Sequence, residues 1–369
     1  MSTAVSNARS RFLDYVRSRG TSEPVVSPFL PYPDVIEDAL RLCALPGGED
    51  PVANEIALAS HLGYEPMFMS QMHELVFQWQ VDEELSDEQW EVAAISIPGG
   101  KWERRIPRRD VSMYDERCYA VRGREDHTKL VKVCEQVGKR EAAIRSYFSE
   151  FRSRVGENGV IVIGHPHPGW LGYQIGPQNT FLHWHDYRKE FQISMDAIYE
   201  ASLFVMQIAL EEGIDFMSDS SYGLEMTSPE LFQQMDLPYI RKFADWTHER
   251  GGLFWYHNCG FTRRLILEGQ FNCMGADVIE TLAEPPEGDN DLQESRRALD
   301  RSICSKGNLS LTLLREGNPE EVAEATRAIV RQVEGYAHIV STADAVLPGT
   351  PGENYVTFVQ TARQALGRS

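Results

Sequence analysis

A parallel α/β fold built from repeated βα units is predicted by three observations in this 369-residue sequence. From Gly159 onward, short β-branched runs alternate with longer amphipathic segments; the runs are evenly spaced; and each is followed by a helix candidate. That pattern admits a parallel barrel or a long doubly wound sheet. At roughly 150 residues per domain the length would suit two domains, but a single barrel with an N-terminal extension fits equally well.

Taken in order, Pro24–Phe29 (PVVSPF) and Pro66–Ser70 (PMFMS) supply two strands, separated by a helical Val52–Leu62. Between Trp79 and Gly123 the pattern turns alternating and polar (AAISIPGGKWERRIP), which predicts a β-hairpin excursion. His127–Arg154 reads as one long charged helix. Six further strands are expected at Val160–Gly164, Ile214–Asp219, Leu253–His257, Asp277–Thr281, Ser302–Ser305 and Ile339–Thr342, which makes eight. Glu190–Glu212 has apolar residues near a 3.6 period and ends at Gly213, a residue suited to the left-handed C′ position. Ser228-Pro229-Glu230 pairs an N-cap with proline at the first helical position and opens a helix running to His248–Arg250, where Gly251-Gly252 stops it. Asn318-Pro319-Glu320-Glu321 repeats the start signal with acidic residues in the first turn. The chain is therefore expected to form one unit over 1–369, with an N-terminal arm at 1–23 and the excursion at 79–123.

Apolar residues make up 42% and charged residues 25%, the globular average, which excludes disordered, collagen-like and coiled-coil classes. The net charge of −19 repels phosphate backbones and anionic lipid, so nucleic-acid and membrane binding are disfavoured. No window approaches about 18 uninterrupted apolar residues, and MSTAVSNARSR lacks a signal-peptide core, so a cytoplasmic protein is expected. Six cysteines lack the density of a secreted disulfide framework. Cys273 is expected on the face opposite the strand ends, Cys304 in mid-strand, and Cys43, Cys118 and Cys134 as packing residues.

In a parallel βα architecture, functional groups gather where strands end. His257-Asn258-Cys259-Gly260 stands at the end of the strand LFWYH. Alternate residues of an extended chain point the same way, so His257 and Cys259 can present an imidazole nitrogen and a thiolate to one metal ion, naturally zinc. A buried histidine beside a core cysteine is the alternative. His165-Pro166-His167-Pro168 follows VIVIG, and His183-Trp184-His185-Asp186 lies in a loop ahead of a helix. Both pairs either chelate metal or line a pocket with their rings. Asp219 is a candidate general acid or base, with a helix N-cap as the alternative, and Tyr222 and Glu225 share its loop. Arg104, Arg105, Arg108 and Arg109 read as a solvated face of the excursion.

Five motifs occur in order: SPELFQQMDLPY (Ser228–Tyr239), HNCG (His257–Gly260), GDNDL (Gly288–Leu292), KGNL (Lys306–Leu309) with the helix start NPEEV (Asn318–Val322), and PGTPGEN (Pro348–Asn354). This succession resembles the uroporphyrinogen decarboxylase superfamily, closest to its cobalamin-dependent, zinc-containing methyltransferase branch. The resemblance runs from Val160 to the C-terminus, with support from Pro24 to Ser70. It implies a (β/α)8 TIM barrel with its site at the C-terminal ends of the strands, and zinc ligands at His257 and Cys259. The branch's third ligand is a cysteine after the last strand; here that stretch reads Ser341-Thr342-Ala343-Asp344-Ala345, so Asp344 stands in its place. A His-Cys-Asp set would make the metal harder and more Lewis acidic than His-Cys-Cys.

In the resembling families an acidic residue near Asp219 contacts substrate. Asp219, His165 and His167 are thus the expected catalytic residues, and Tyr222, Glu225 and His185 the expected substrate-binding ones. The implied activity moves a methyl group between a corrinoid protein and a small substrate, a methyl ether or thiol, activated by zinc. No Asp-x-His-x-x-Gly motif occurs, so cobalamin is expected on a separate corrinoid protein docking over the barrel mouth; a homodimer is the candidate assembly. Two alternatives stand beside this: a decarboxylase or lyase of the superfamily acting on a small carboxylic acid, and a non-catalytic binding barrel. The Arg-Gln-Ala-Gly-Arg segment of porphyrinogen decarboxylases is absent, since VVSPFLPYPD carries no arginine, which disfavours that reaction.

Overall fold

The computed structural model describes residues 7–70, 72–107, 119–164, 169–221, 223–258 and 260–368. Its centre is a curled parallel sheet in the order β1 (Met67–Ser70), β5 (Val160–Ile163), β6 (Phe216–Ser220), β7 (Leu253–Asn258), β8 (Val278–Thr281), β9 (Cys304–Leu309) and β10 (His338–Thr342). Helices cover its outer face, giving a TIM-barrel-like α/β fold. Strand β5, VIVI, is buried at every residue, because a parallel strand covered on both faces needs a continuous apolar run rather than alternation.

The predicted strand Pro24–Phe29 is reduced to a single parallel bridge, Val26 to Val340, across the gap between β10 and β1. The Ser27 N–H donates to the Val340 carbonyl at 3.0 Å, and the Glu65 N–H ahead of β1 donates to the Val26 carbonyl at 2.9 Å. Pro24 and Pro28 have no N–H to give to a ladder, which limits pairing to the residues between them.

The N-terminal arm contains a helix, Ala8–Arg17, that plugs the sheet at its strand starts. Phe12 is fully buried there, 5.8 Å ring to ring from Phe216 and 6.2 Å from Trp255. Arg9 pairs with Asp215 and Glu157, and Arg11 with the buried Glu65 carboxylate, which also receives Arg368 at 2.7 Å. Glu65 thus ties both ends of the chain to the point of closure.

Several elements differ from the sequence pattern. The long helix expected over His127–Arg154 is two helices, Arg124–Cys134 and Glu141–Val155, separated by a 3-10 turn at Val137–Arg140 containing the poor helix former Gly138. The strand expected at Ser302–Ser305 starts only at Cys304 and runs on through the KGNL motif; Ser302 belongs to a turn held by Asp300. His183 and His185 lie on a helix, Pro177–Asp186, started by a proline in its first turn, and not in a loop. The excursion forms β3 (Trp90–Ile97) and β4 (Gly100–Pro107) as expected, with a short added strand β2 (Gln80–Val81). Trp79 and Trp102 pack 5.2 Å apart at its base, with the Arg104 guanidinium 4.8 Å over Trp79. Arg108, Arg109 and Cys118 lie outside the described residues. Cys134 and Cys304 are buried, Cys43 half-buried and Cys273 exposed, and Cys304 opens its strand rather than sitting in the middle.

Among the described residues one helix, Arg188–Glu211, is long and apolar enough to cross a membrane. Its Phe191, Met195, Ile198, Val205 and Met206 are buried in the protein core, which accounts for that composition. The helix Pro319–Gln332 opens with a full capping box: Asn318 Oδ1 accepts the Glu320 and Glu321 N–H groups, and the Glu321 carboxylate accepts the Asn318 N–H at 2.9 Å. Asn318→Ala is expected to lower stability by about 1 kcal/mol in urea titration. No change would show that burial of Val322 and Ile329 alone sets this helix start.

His127 and His183 form a buried pair between helices, His127 Nε2 lying 3.0 Å from His183 Nδ1 and His127 Nδ1 2.8 Å from Ser194 Oγ. Burial pushes His127 down to about 4 and lowers His183, against the weaker pull of Glu190, Asp126 and Asp186. Burial likewise holds His338 down at about 3. An unfolded chain takes up protons on these rings near pH 6.5, whereas the native state refuses them until lower pH. Their contribution to stability is therefore complete above about pH 6.5 and is lost as pH falls toward 4. Thermal melts between pH 7 and 4.5 should show falling midpoints, and His127→Gln should flatten that slope.

Candidate active site at the strand ends

The last residues of β7 and β8 and the middle of β9 bring three polar side chains into one row. Register pairs His257 with Glu280 and Glu280 with Lys306. Counting back by two, these residues share parity with Trp255, Val278 and Cys304, which pack together in the sheet's inner cluster, so all three side chains face inward. His257 Nδ1 lies 3.1 Å from Glu280 Oε1, and Lys306 Nζ donates to Glu280 Oε2 at 3.0 Å. Glu280 and Lys306 are each only 1% exposed, so this ion pair is wholly desolvated.

Phe29 closes the row from the side. Its ring stands 5.5 Å from the His257 ring and 4.4 Å from Lys306 Nζ, while Trp255 is 5.7 Å from the same ammonium. Aromatic faces thereby replace part of the lost hydration of the lysine. Phe29 is pinned by its N–H to Thr342 Oγ1 at 3.2 Å and by its carbonyl, which accepts the Val346 N–H at 3.0 Å. Leu30 then adopts φ +40° and turns the chain away.

The electrostatics follow from this geometry. Burial alone would raise the Glu280 carboxyl, but Lys306, and after it His257, outweigh burial and hold it down at about 2. Burial lowers Lys306, opposed by the charges of Glu280 and Asp344. Asp344 is half-buried after β10; its Oδ1 accepts the Ala345 N–H at 2.7 Å, and its carbonyl accepts the Thr342 hydroxyl at 2.7 Å.

The other expected site residues fall in different places. His165, His167, Tyr222 and Cys259 lie outside the described residues. Asp219 is fully buried, but it pairs in register with Tyr256, while its neighbour Ser220 pairs with His257; Ser220 is thus the β6 residue flanking the row. Asp219 Oδ1 accepts the Ser220 N–H at 2.8 Å. Glu225 accepts the Phe261 N–H at 2.8 Å, and a Cβ on Gly260, whose φ is +80°, would come within 2.0 Å of its carboxylate. It clasps the loop that carries the HNCG motif. His185 is exposed and pairs with its neighbour Asp186 at 2.8 Å. Among the described residues, no group of three or more histidine, cysteine, aspartate and glutamate side chains is gathered as a metal cage.

Glu280, Lys306 and Phe29 were not singled out by the sequence. A signal existed for two of them: Glu280 sits in the strand DVIET, and Lys306 in KGNL, and a charged residue inside a buried parallel strand needs a partner. Which partner was a matter of register, and the misplaced start of β9 hid it.

A model of the uroporphyrinogen decarboxylase (URO-D) family matches residues 171–365, a little over half of the chain. Among solved structures, a methyltransferase from Methanosarcina mazei superposes with a TM-score of 0.65 at 14% identity, covering 97% of this chain and 98% of that one. A B12-independent methionine synthase from Shewanella sp. W3-18-1 gives a TM-score of 0.46 at 10% identity, covering 93% and 96%. No curated protein matches the sequence.

Proposed function

This chain belongs to the uroporphyrinogen decarboxylase family, a family of enzymes, and from that premise we propose that it is a methyltransferase moving a methyl group between a separate corrinoid protein and a small substrate, a methyl ether or thiol, activated by zinc. The observation that carries the reading is the His257–Glu280–Lys306 row. A metal-binding histidine commonly turns its second ring nitrogen to a carboxylate, which fixes tautomer and ring orientation, and Glu280 stands at that position for His257. The closing Val25–Ser27 segment is read as the remnant of an eighth strand.

The residues present fit a zinc ion by charge. Glu280 and Lys306 cancel each other, so a Cys259 thiolate and the Asp344 carboxylate would balance a dication, with neutral His257 as the third ligand. When bound, zinc supplies a Lewis acid that lowers the pKa of a thiol or polarises an ether oxygen. The chain's own groups do the rest. Glu280 accepts the Nδ1 proton of His257 and keeps it there. Lys306 keeps Glu280 ionised, so that the carboxylate takes no proton from a substrate. Phe29 and Trp255 exclude water from the inner side of the row.

The test is elemental analysis of the purified protein together with methyl-transfer assays using free methylcob(III)alamin or cob(I)alamin with thiols and methyl ethers. About one zinc per chain and metal-dependent transfer are expected. Full transfer by metal-free protein would overturn the zinc reading, and carbon dioxide release from small acids without metal would replace it with the decarboxylase.

A further inference from the structure

A cavity lies away from the row, between the helices Pro33–Leu42 and Pro51–Leu62 and the strand β1. It is a cleft open on one side, holds about 80 Å³, and is walled by Pro31, Pro33, Pro51 and Phe68, with Asn54 and Glu55 as its polar lining. The Asn54 side-chain amide is already used, accepting the Gly48 N–H and donating to the Gly48 carbonyl, both at 2.8 Å. Glu55 is different: it is 8% exposed, its Oε1 is sealed from solvent with no hydrogen-bond partner, and a ligand in the cavity would therefore meet the carboxylate at its other oxygen. A buried acid left without a partner is costly and calls for an explanation. Tyr64 and Tyr355, whose rings meet edge to face at 6.2 Å, sit near enough to feel its charge.

The cavity's chemistry narrows the occupant. A cavity of about 150 Å³ holds benzene, so about half that volume holds three or four non-hydrogen atoms. Pyrrolidine and phenyl walls suit carbon, and the one polar group without a partner is a carboxyl. A buried carboxylate is best satisfied by a cation that also donates hydrogen bonds. We propose that this pocket is a binding site for a short-chain primary ammonium ion, its nitrogen on the Glu55 carboxylate and its carbons against the proline walls.

The site is independent of the methyltransferase reading, yet it lies close to the row. Pro31, a wall of the pocket, is two residues from Phe29, which covers His257 and Lys306, and the left-handed Leu30 between them sends the two side chains to different sites. Burial raises Glu55 to about 8, so the acid holds a proton at neutral pH, and a cation bound to the carboxylate must release it.

The experiment is calorimetric titration of the full-length protein with ethylammonium at pH 7, in two buffers of different ionisation enthalpy. Saturable binding with release of about one proton per chain is expected. Ethanol, the neutral analogue, and tetraethylammonium, too large for the cavity, should give none. Glu55→Gln keeps the side-chain volume and should weaken ethylammonium by about tenfold or more. Val52→Phe, which fills the cavity and leaves the acid in place, should abolish binding. Failure of wild-type protein to bind, binding without proton release, equal binding of ethanol, or undiminished binding by either variant would each overturn the proposal.

Discussion

Replacing His257 with alanine is expected to remove bound zinc and methyl transfer together. The imidazole is oriented by a side chain from the neighbouring strand, Glu280 at 3.1 Å. Losing even an outer partner of a metal ligand commonly costs about 10- to 100-fold in affinity or activity, so losing the ligand itself should exceed that range. The side chain is small and sits at a strand end, so the fold should survive, which an unchanged circular dichroism spectrum would verify. Metal content and transfer rate are the paired readouts. A variant that keeps stoichiometric zinc places the metal elsewhere; a variant that loses zinc but transfers methyl groups at the wild-type rate makes the metal dispensable.

Lys306→Met is expected to produce the largest loss of stability of any substitution in the row. It removes the cation from a carboxylate that is itself 1% exposed, leaving Glu280 charged, desolvated and supported by the neutral donors His257 and Trp255 in place of an ammonium. Breaking a buried ion pair from one side costs about 3–5 kcal/mol, whereas replacing both partners with apolar residues of similar volume is close to neutral. Lys306→Met combined with Glu280→Leu should therefore recover most of the stability lost by the single variant. Urea denaturation of the two single variants and the double variant closes a thermodynamic cycle. A single Lys306→Met variant within about 1 kcal/mol of wild type would show that the pair does not hold this end of the sheet together.

Much of the architecture was legible because its signals are local. The helix starts at Pro229 and Pro319 were written as Ser-Pro-Glu and Asn-Pro-Glu-Glu, and both Ser228 and Asn318 cap as their side chains dictate. The strands Val160–Ile163 and Leu253–Asn258 declared themselves as β-branched and aromatic runs. Where signals conflicted, the reading slipped. Ser302–Ser305 looked like a strand by composition, yet the strand is the more polar Cys304–Leu309, because Lys306 finds Glu280 and Asn308 donates to the Leu282 carbonyl at 2.9 Å. Nothing within KGNL states that either partner exists.

The site divides in the same way. His257 could be singled out as a candidate from its place at a strand end, whereas Asp344 entered only through the family resemblance, standing where the branch carries a cysteine. Asp219 was chosen by the same rule, which does not resolve register: a shift of one residue along a strand moves a side chain to the other face, and register sets Ser220 beside His257.

By itself, then, the sequence determined the βα alternation, the helix caps, the strongly acidic surface and the strand ends at which chemistry gathers, since each depends on residues within a few positions of one another. Only the tertiary structure decided that the sheet closes through one bridge at Val26, that Phe29 covers the row, and that Glu280 joins His257 to Lys306. Those are choices of partner between segments from 23 to more than 300 residues apart. They are settled by register and by the cost of leaving a buried charge alone, and neither can be evaluated until the strands lie side by side.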